Sequence, residues 1–392
     1  MRNMAYVCSI SAKDEIDGCD RISYYHFNEN GYGVIGSKAD FNVGDKVVYC
    51  EVDSILPEVK EFEFLRSKCY KPMLHGFLIK NMKMRGLYST GIIFKVSELP
   101  IKQKDYKCGT DLTSALNIGK YEPEDDASPT GNKVKGWKCK LRKFLIAHKL
   151  TRGLGKKLFF NKVKSDFPIQ YVEKSDEENI QNHTDWLKKY KDKMAYVTRK
   201  MEGQSVLFIL LPDKKKPTFG VFSRNTTGNA DHFAFAKEHN IEESLRKLWK
   251  STGICYAIQG EYCSPKVQQG IYKNGIHFYA YLVKNVTNNK VLSSSAQRSL
   301  VESIGLENVP QVETNNMTIG EVFKYVKDMQ EYTEHQWFKV GEDKITSIDD
   351  RFYKGPKLQK PSFHRHEGIV VRDVDQTISF KVKSQEYQLA GL

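Results

Sequence analysis

The sequence predicts an α+β chain of two domains, a small β-barrel followed by a larger unit of antiparallel sheets and helices. Three observations carry this expectation. Short β-branched and aromatic runs separated by turn residues fill the first part of the chain. A polar stretch with Pro and Gly follows Tyr121, and beyond it strand-like runs alternate with segments of helical period. At 392 residues the chain is long for one core and short for three.

The expected barrel strands are Ala5–Ile10, Arg21–Phe27, Gly33–Ile35, Lys46–Val52, Met73–Ile79 and Leu87–Phe94. Turns at Asn28–Gly31, Asn42–Asp45 and Arg85–Gly86 punctuate them. Small closed barrels often carry oligonucleotide-binding surfaces, although the pattern fits any small barrel. The domain break falls in 121–136, which divides the chain into 1–125, a basic linker or helix over 126–165, and 166–392. Trp137, Leu141, Leu145 and His148 recur at helical spacing, and a second helix is expected from Asp176 to Lys191 behind Ser175. Strands follow at Ala195–Thr198, Ser205–Leu211, Gly220–Phe222, Ala257–Gln259, Phe278–Val283, Gly368–Arg372 and Ile378–Val382. Helices are expected near 230–250, 295–305 and 318–330.

Charge narrows the partners. Sixty-one Lys and Arg against 48 Asp and Glu leave +13, which favours a polyanionic partner. No acid lies between Asp126 and Asp166, and 12 cationic residues from Lys133 to Lys164 carry nearly all of that excess. The run reads either as a solvated face or as a phosphate-contacting surface whose binding weakens with salt. The chain has no apolar run long enough for a membrane span and no leader pattern, and its eight cysteines form no CxxC pair. The expectation is a soluble protein of a reducing intracellular compartment, with neither a zinc site nor a disulfide framework.

Chemistry gathers in six segments taken in order: Lys200-Met-Glu-Gly203, Phe222-Ser-Arg-Asn225, Ile258-Gln-Gly-Glu-Tyr262, Phe278-Tyr-Ala-Tyr-Leu-Val283, Glu367-Gly-Ile-Val-Val-Arg372 and Ser379-Phe-Lys-Val-Lys383. The first alone is weak, because a lysine followed by an acid and a glycine arises readily in so lysine-rich a chain. The ordered series is far harder to attribute to chance.

That series resembles the covalent nucleotidyltransferase superfamily, which holds ATP-dependent DNA and RNA ligases and mRNA-capping guanylyltransferases. The resemblance implies an antiparallel-sheet, ATP-grasp-like ligase domain in which Lys200 is the nucleophile that takes AMP from ATP. A lysine attacks phosphorus only as the free amine, so it must be desolvated or set beside positive charge that lowers its pKa. Lys381 and Lys383, on one face of a strand by alternation, supply that charge and would neutralise the α-phosphate. Glu202, Glu261 and Glu367 would hold a hydrated magnesium or manganese ion, often gripped through its waters. By resemblance Glu261 also meets the ribose, Arg224 approaches sugar and phosphates, and Tyr281 lies against the adenine, although a core tyrosine fits that strand nearly as well. Three positions depart from the usual pattern: Arg199 and Leu282 stand where relatives have acids, and Asn179 where they have arginine.

Only nine residues follow Lys383, so the expected extra module lies in front. Asn42–Pro57 and Ile79–Phe94 resemble the amino-terminal OB-like barrel of one RNA ligase family, and 168–182 resembles the segment leading to its lysine. The resemblance covers the chain apart from roughly 100–165 and 285–360. It implies an ATP-dependent RNA ligase sealing 3′-OH and 5′-phosphate ends, acting as a monomer on nicked RNA, with Lys80, Lys83 and Arg85 as barrel contacts. A guanylyltransferase, a DNA ligase or a non-catalytic RNA-binding relative are the alternatives.

Overall fold

The computed structural model describes residues 3–101, 105–121, 166–174, 177–179, 184–213, 216–267, 275–327 and 367–383, together with 387 and 389. The basic stretch 133–164 and the helix expected through Trp137 and His148 lie outside the described residues. The chain divides into two compact units, Met1–Lys162 with Gln181–Asp185, and Val163–Ile180 with Trp186–Leu392.

The strands of the first unit are β1 (Ala5–Glu15), β2 (Ile22–Phe27), β3 (Gly33–Ser37), β4 (Lys46–Cys50), β5 (Ser54–Pro57), β6 (Tyr70–Lys71), β7 (Gly76–Leu78), β8 (Met82–Met84), β9 (Leu87–Ser89), β10 (Ile92–Lys95) and β11 (Gly119–Lys120). The main sheet runs β10-β4-β1-β2-β3, all antiparallel. It curls until Thr90 N–H donates to Gly33 O at 2.9 Å and Ile35 N–H to Ser89 Oγ at 3.0 Å, closing the barrel. Inside lie Tyr6, Cys8, Tyr25, Phe27, Val34 and Tyr49. The opposite faces of β1 and β4 bury Ala5, Val7, Val48 and Cys50 against Leu56, Phe62 and Phe77. Because β1 and β4 are covered on both sides, their sequences read as near-continuous apolar runs rather than alternation.

Two expected barrel strands are corrected. Met73–Ile79 is a strand only over its last part: Pro72 opens a 3-10 turn, His75 has φ 48°, and β7 starts at Gly76. Leu87–Phe94 is two strands, because the Thr90 N–H is spent on Gly33 across the closure instead of continuing one ladder.

The second unit holds β12 (Glu178–Asn179), β13 (Ala195–Lys200), β14 (Gln204–Leu211), β15 (Thr218–Ser223), β16 (Tyr256–Cys263), β17 (His277–Asn285), β18 (Lys290–Val291), β19 (Glu307–Asn308), β20 (Gly368–Asp373) and β21 (Ser379–Lys383). A large sheet runs β15-β14-β16-β17-β18 with β19 beside β17, and a smaller one runs β12-β21-β20-β13. Helices Ala230–Glu238 and Ile241–Thr252 bury Phe235, Ile241 and Leu245 with Phe208, Ile258 and Phe278 of the large sheet. Helices Thr184–Tyr190 and Ile319–Lys327 cover Val197, Ile369, Val371 and Phe380 of the small one. The helix expected over Asp176–Lys191 is shorter. Glu178–Asn179 is instead a strand parallel to β21, because the edge of the small sheet takes up its backbone groups.

Among the described residues no helix is long and apolar enough to cross a membrane. Tyr49 is fully buried, donates to Thr90 O at 2.7 Å and packs on Tyr6 and Phe27. Tyr49→Ala is expected to lower unfolding free energy by about 3–5 kcal/mol in a denaturant titration, whereas Val43→Ala in an exposed turn stays within about 0.5 kcal/mol.

Candidate active site

Strand register assembles the site. Lys200 ends β13 and lies opposite Gly368 on β20, which lies opposite Lys383 on β21; Lys381 is opposite Val370. Since Val197, Ile369, Val371, Phe380 and Val382 face the helices, alternation turns Lys200, Lys381 and Lys383 to the other side, together with Thr198 and Arg372. Glu367 immediately precedes β20, and Glu261 comes from β16 of the large sheet.

Lys200 Nζ lies 2.7 Å from Glu367 Oε1, and Lys383 Nζ lies 3.5 Å from the same oxygen. The Glu367 side chain is only 9% exposed. Burial pushes its pKa up, but Lys200, Lys383 and Lys381 outweigh burial and hold it below the usual carboxylate range. For Lys200, burial pushes downward while Glu367, Glu261 and Glu177 push upward and win. The expectation that Lys381 and Lys383 depress this pKa is therefore corrected for the ligand-free protein: three carboxylates hold Lys200 as an ammonium. Glu261 is pushed up to about 8, first by burial and then by Glu367 and Glu177, with Lys200 opposing.

Two glycines make the approach possible. A Cβ on Gly203 would lie 2.6 Å from Tyr262 O and 2.9 Å from Glu261 Cγ, so the turn after Lys200 meets β16 only without a side chain. Its N–H also bonds the Glu261 carboxylate. Gly368 has φ 146°, and a Cβ there would lie 2.0 Å from Val382 O.

Tyr281 is the extra residue of a β-bulge, skipped between the pairs Gln259–Leu282 and Gly260–Ala280; a bulge re-aims a side chain. Its hydroxyl shares a 2.8 Å hydrogen bond with Ser205. Arg224 is exposed in the tight turn after β15. Glu202 is buried in the turn, its carbonyl accepting from the Cys263 thiol.

Sequence reasoning missed two residues. Arg372 Nη2 lies 2.9 Å from Glu177 Oε1, with the two side chains 4% and 18% exposed. Burial pushes Glu177 up, but Arg372, its own backbone N–H, Lys200 and Lys381 hold it below the usual range. Arg372 was legible from its period-two spacing behind Gly368 and Val370; Glu177 lay in a segment read as helix.

Among the described residues no three His, Cys, Asp or Glu side chains converge to hold a metal directly. Glu261, Glu367 and Glu177 instead crowd enough negative charge to push one of them up, a donor set suited to a hydrated magnesium or manganese ion held through its waters.

In the first unit Lys80 pairs with Asp53 at 2.9 Å and lies over Tyr121. Lys83 donates to Tyr88 Oη at 3.1 Å. Arg85, at φ 51°, and Gly86 form the two-residue turn of the β8–β9 hairpin, whose β8 residues are all exposed.

Residues 193–384 match the RNA ligase family model, and residues 4–96 match an OB-fold domain. The chain belongs to the RNA ligase family. Membership makes it an enzyme of the ligase class acting on RNA, with an OB-fold domain in front. No curated protein matches it by sequence. Its fold is similar to that of the Naegleria gruberi RNA ligase solved with pyrophosphate, at 21% identity and TM-score 0.68, over 99% of this chain and 98% of that one. A variant of that enzyme with AMP and Mn gives the same values, and another with ATP and Mn gives 20% identity, TM-score 0.67 and 99% of both chains.

The raised pKa of Glu261 makes stability depend on pH. Glu261 has a folded pKa of about 8 against an ordinary 4.5, so it binds its proton more tightly when folded. Its contribution to stability is full below 4.5, falls as pH rises to about 8, and is flat above. The unfolding free energy of wild type minus that of Glu261→Gln is expected to fall across that window; a constant difference would contradict the assignment.

Proposed function

We propose that the chain is an ATP-dependent RNA ligase that joins a 3′-OH to a 5′-phosphate through lysyl-AMP and adenylated RNA. One observation carries the reading: within an RNA ligase domain, Lys200 lies against Glu367 and beside Lys383, with Glu261 on the facing sheet. The Naegleria gruberi enzyme's structures with ATP, AMP and Mn support the choice of nucleotide and metal. In the first step the deprotonated Lys200 nitrogen bonds the α-phosphorus of ATP as the bond to pyrophosphate breaks. An RNA 5′-phosphate oxygen then takes the phosphorus and returns the lysine. Last, the 3′-OH attacks the activated 5′-phosphate, AMP leaves, and the strand is sealed.

Lys381 and Lys383 neutralise the α-phosphate as charge builds on it, and Arg224 and Tyr281 hold sugar and base. Glu261 and Glu367, with Glu202 or Glu177, would hold magnesium or manganese, which supplies positive charge beside the phosphates and the lysine. Glu367, Glu261 and Glu177 hold the proton on Lys200, so positive charge beside them would lower its pKa toward the free amine that the first step needs. The barrel's Lys80, Lys83 and Arg85, with the basic stretch 133–164, hold the RNA by its backbone. The reading extends to a monomer acting on nicked duplexes; the net positive charge supports the polyanionic partner, and the scattered cysteines support a reducing compartment.

Purified protein given ATP and magnesium is expected to gain the mass of one AMP at Lys200. GTP leaves no adduct, and Lys200→Ala gains nothing. An adduct from GTP instead would make the chain a guanylyltransferase, and equal inertness of wild type and Lys200→Ala would refute the enzyme reading. On the barrel, Lys83→Ala is expected to weaken RNA binding and flatten the plot of log affinity against log salt by about 0.7–0.9. An unchanged slope removes Lys83 from the interface.

A further inference from the structure

The face of the small sheet that carries Lys200 holds buried polar atoms that the described residues do not satisfy. Arg372 Nη1, Thr198 Oγ1, Tyr196 Oη and Asn179 Oδ1 have no hydrogen-bond partner among the described residues. None of these four residues is more than 4% exposed. Register puts them together: Tyr196 is opposite Arg372, Thr198 is opposite Val370, and Asn179 is opposite Lys381. Folded proteins leave only a few such atoms per hundred residues, and an unpaired charged donor is the most costly of them. Their concentration beside the reactive lysine marks a surface that a ligand completes.

Arg372 identifies the ligand's chemistry. One edge of its guanidinium is fixed, since Nη2 donates to Glu177 Oε1 at 2.9 Å and Ser379 Oγ lies 3.4 Å from the same oxygen. The guanidinium carbon is 5.8 Å from the centroid of Tyr281. The remaining edge is a buried donor beside that ring. A guanidinium donates and never accepts, so it needs an acceptor, and a purine presents acceptors at its ring nitrogens.

We propose that Arg372 contacts the nucleotide, donating from Nη1 to a ring nitrogen of the base stacked on Tyr281, and that Glu177 is the positioning residue that aims it. This rests on the reading that Lys200 takes AMP from ATP. A hydrogen bond to a charged donor in a buried site corresponds to roughly 10- to 100-fold in affinity.

The test uses Lys200→Met, which forms no covalent adduct, titrated with ATP and with its 1-deaza, 3-deaza and 7-deaza analogues, with and without Arg372→Met. One analogue is expected to bind roughly 10- to 100-fold more weakly than ATP. Adding Arg372→Met should weaken ATP to a similar degree and abolish the difference between ATP and that analogue. Glu177→Gln should weaken ATP by less and keep the difference. The same loss with and without Arg372→Met, or no loss with any analogue, overturns the contact. If circular dichroism shows Arg372→Met unfolded, Arg372→Lys replaces it in the comparison, with the penalty expected to shrink and an unchanged penalty refuting the contact. A wild-type protein that forms no adduct with ATP refutes the ligase reading; a wild type that forms it while the analogue losses are unaffected by Arg372 refutes only this contact.

Discussion

An ammonium held 2.7 Å from a buried carboxylate sets the terms for the second domain. Removing both charges from water is costly, and their attraction offsets that cost only when geometry is fixed and further partners share the load. Each surrounding element supplies part of that fixation. β13 ends at Lys200, β20 begins beside Glu367, and β21 brings Lys383 to the same oxygen. A one-residue slip of β13 would turn Lys200 toward the apolar cluster of Val312, Ile319 and Val322, so apolar packing on the far face enforces the register of the charged one.

The same arrangement sets the protonation of the cluster. Glu367, Glu261 and Glu177 outweigh burial in holding the proton on Lys200, and the crowding of negative charge appears in the elevated pKa of Glu261. Positive charge beside these carboxylates would lower the Lys200 pKa, and further negative charge would raise it. Gly203 and Gly368 are the backbone side of that balance, as any side chain there would force apart the strands that set these charges against one another.

The first domain solves a different problem with the same economy of strands. β1 and β4 serve two cores at once, the barrel's ring of tyrosines on one face and the cluster around Phe62 and Phe77 on the other. With both faces occupied, polar display falls to the peripheral hairpin and its neighbours, where Lys80, Lys83 and Arg85 sit.

What the chain's order of residues determined alone was the type of most elements and the charged groups that the structure brings together. Alternation in Ser379–Lys383 placed both lysines on one face, Lys200 was legible at a strand end, and Glu261 and Glu367 were named beside it; Lys200 and Lys383 meet at one oxygen of Glu367, and Glu261 adds its charge at the Lys200 ammonium. Tertiary structure decided the rest: that Glu177 and Arg372 join the cluster, that 178–179 is a strand rather than helix, and that the Lys200 pKa rises in the ligand-free protein. The physical reason is range. Period and turn chemistry act between residues a few positions apart and leave a trace in the order of residues, whereas a sum of charges depends on distances between strands far apart in the chain, and only the folded sheets set those.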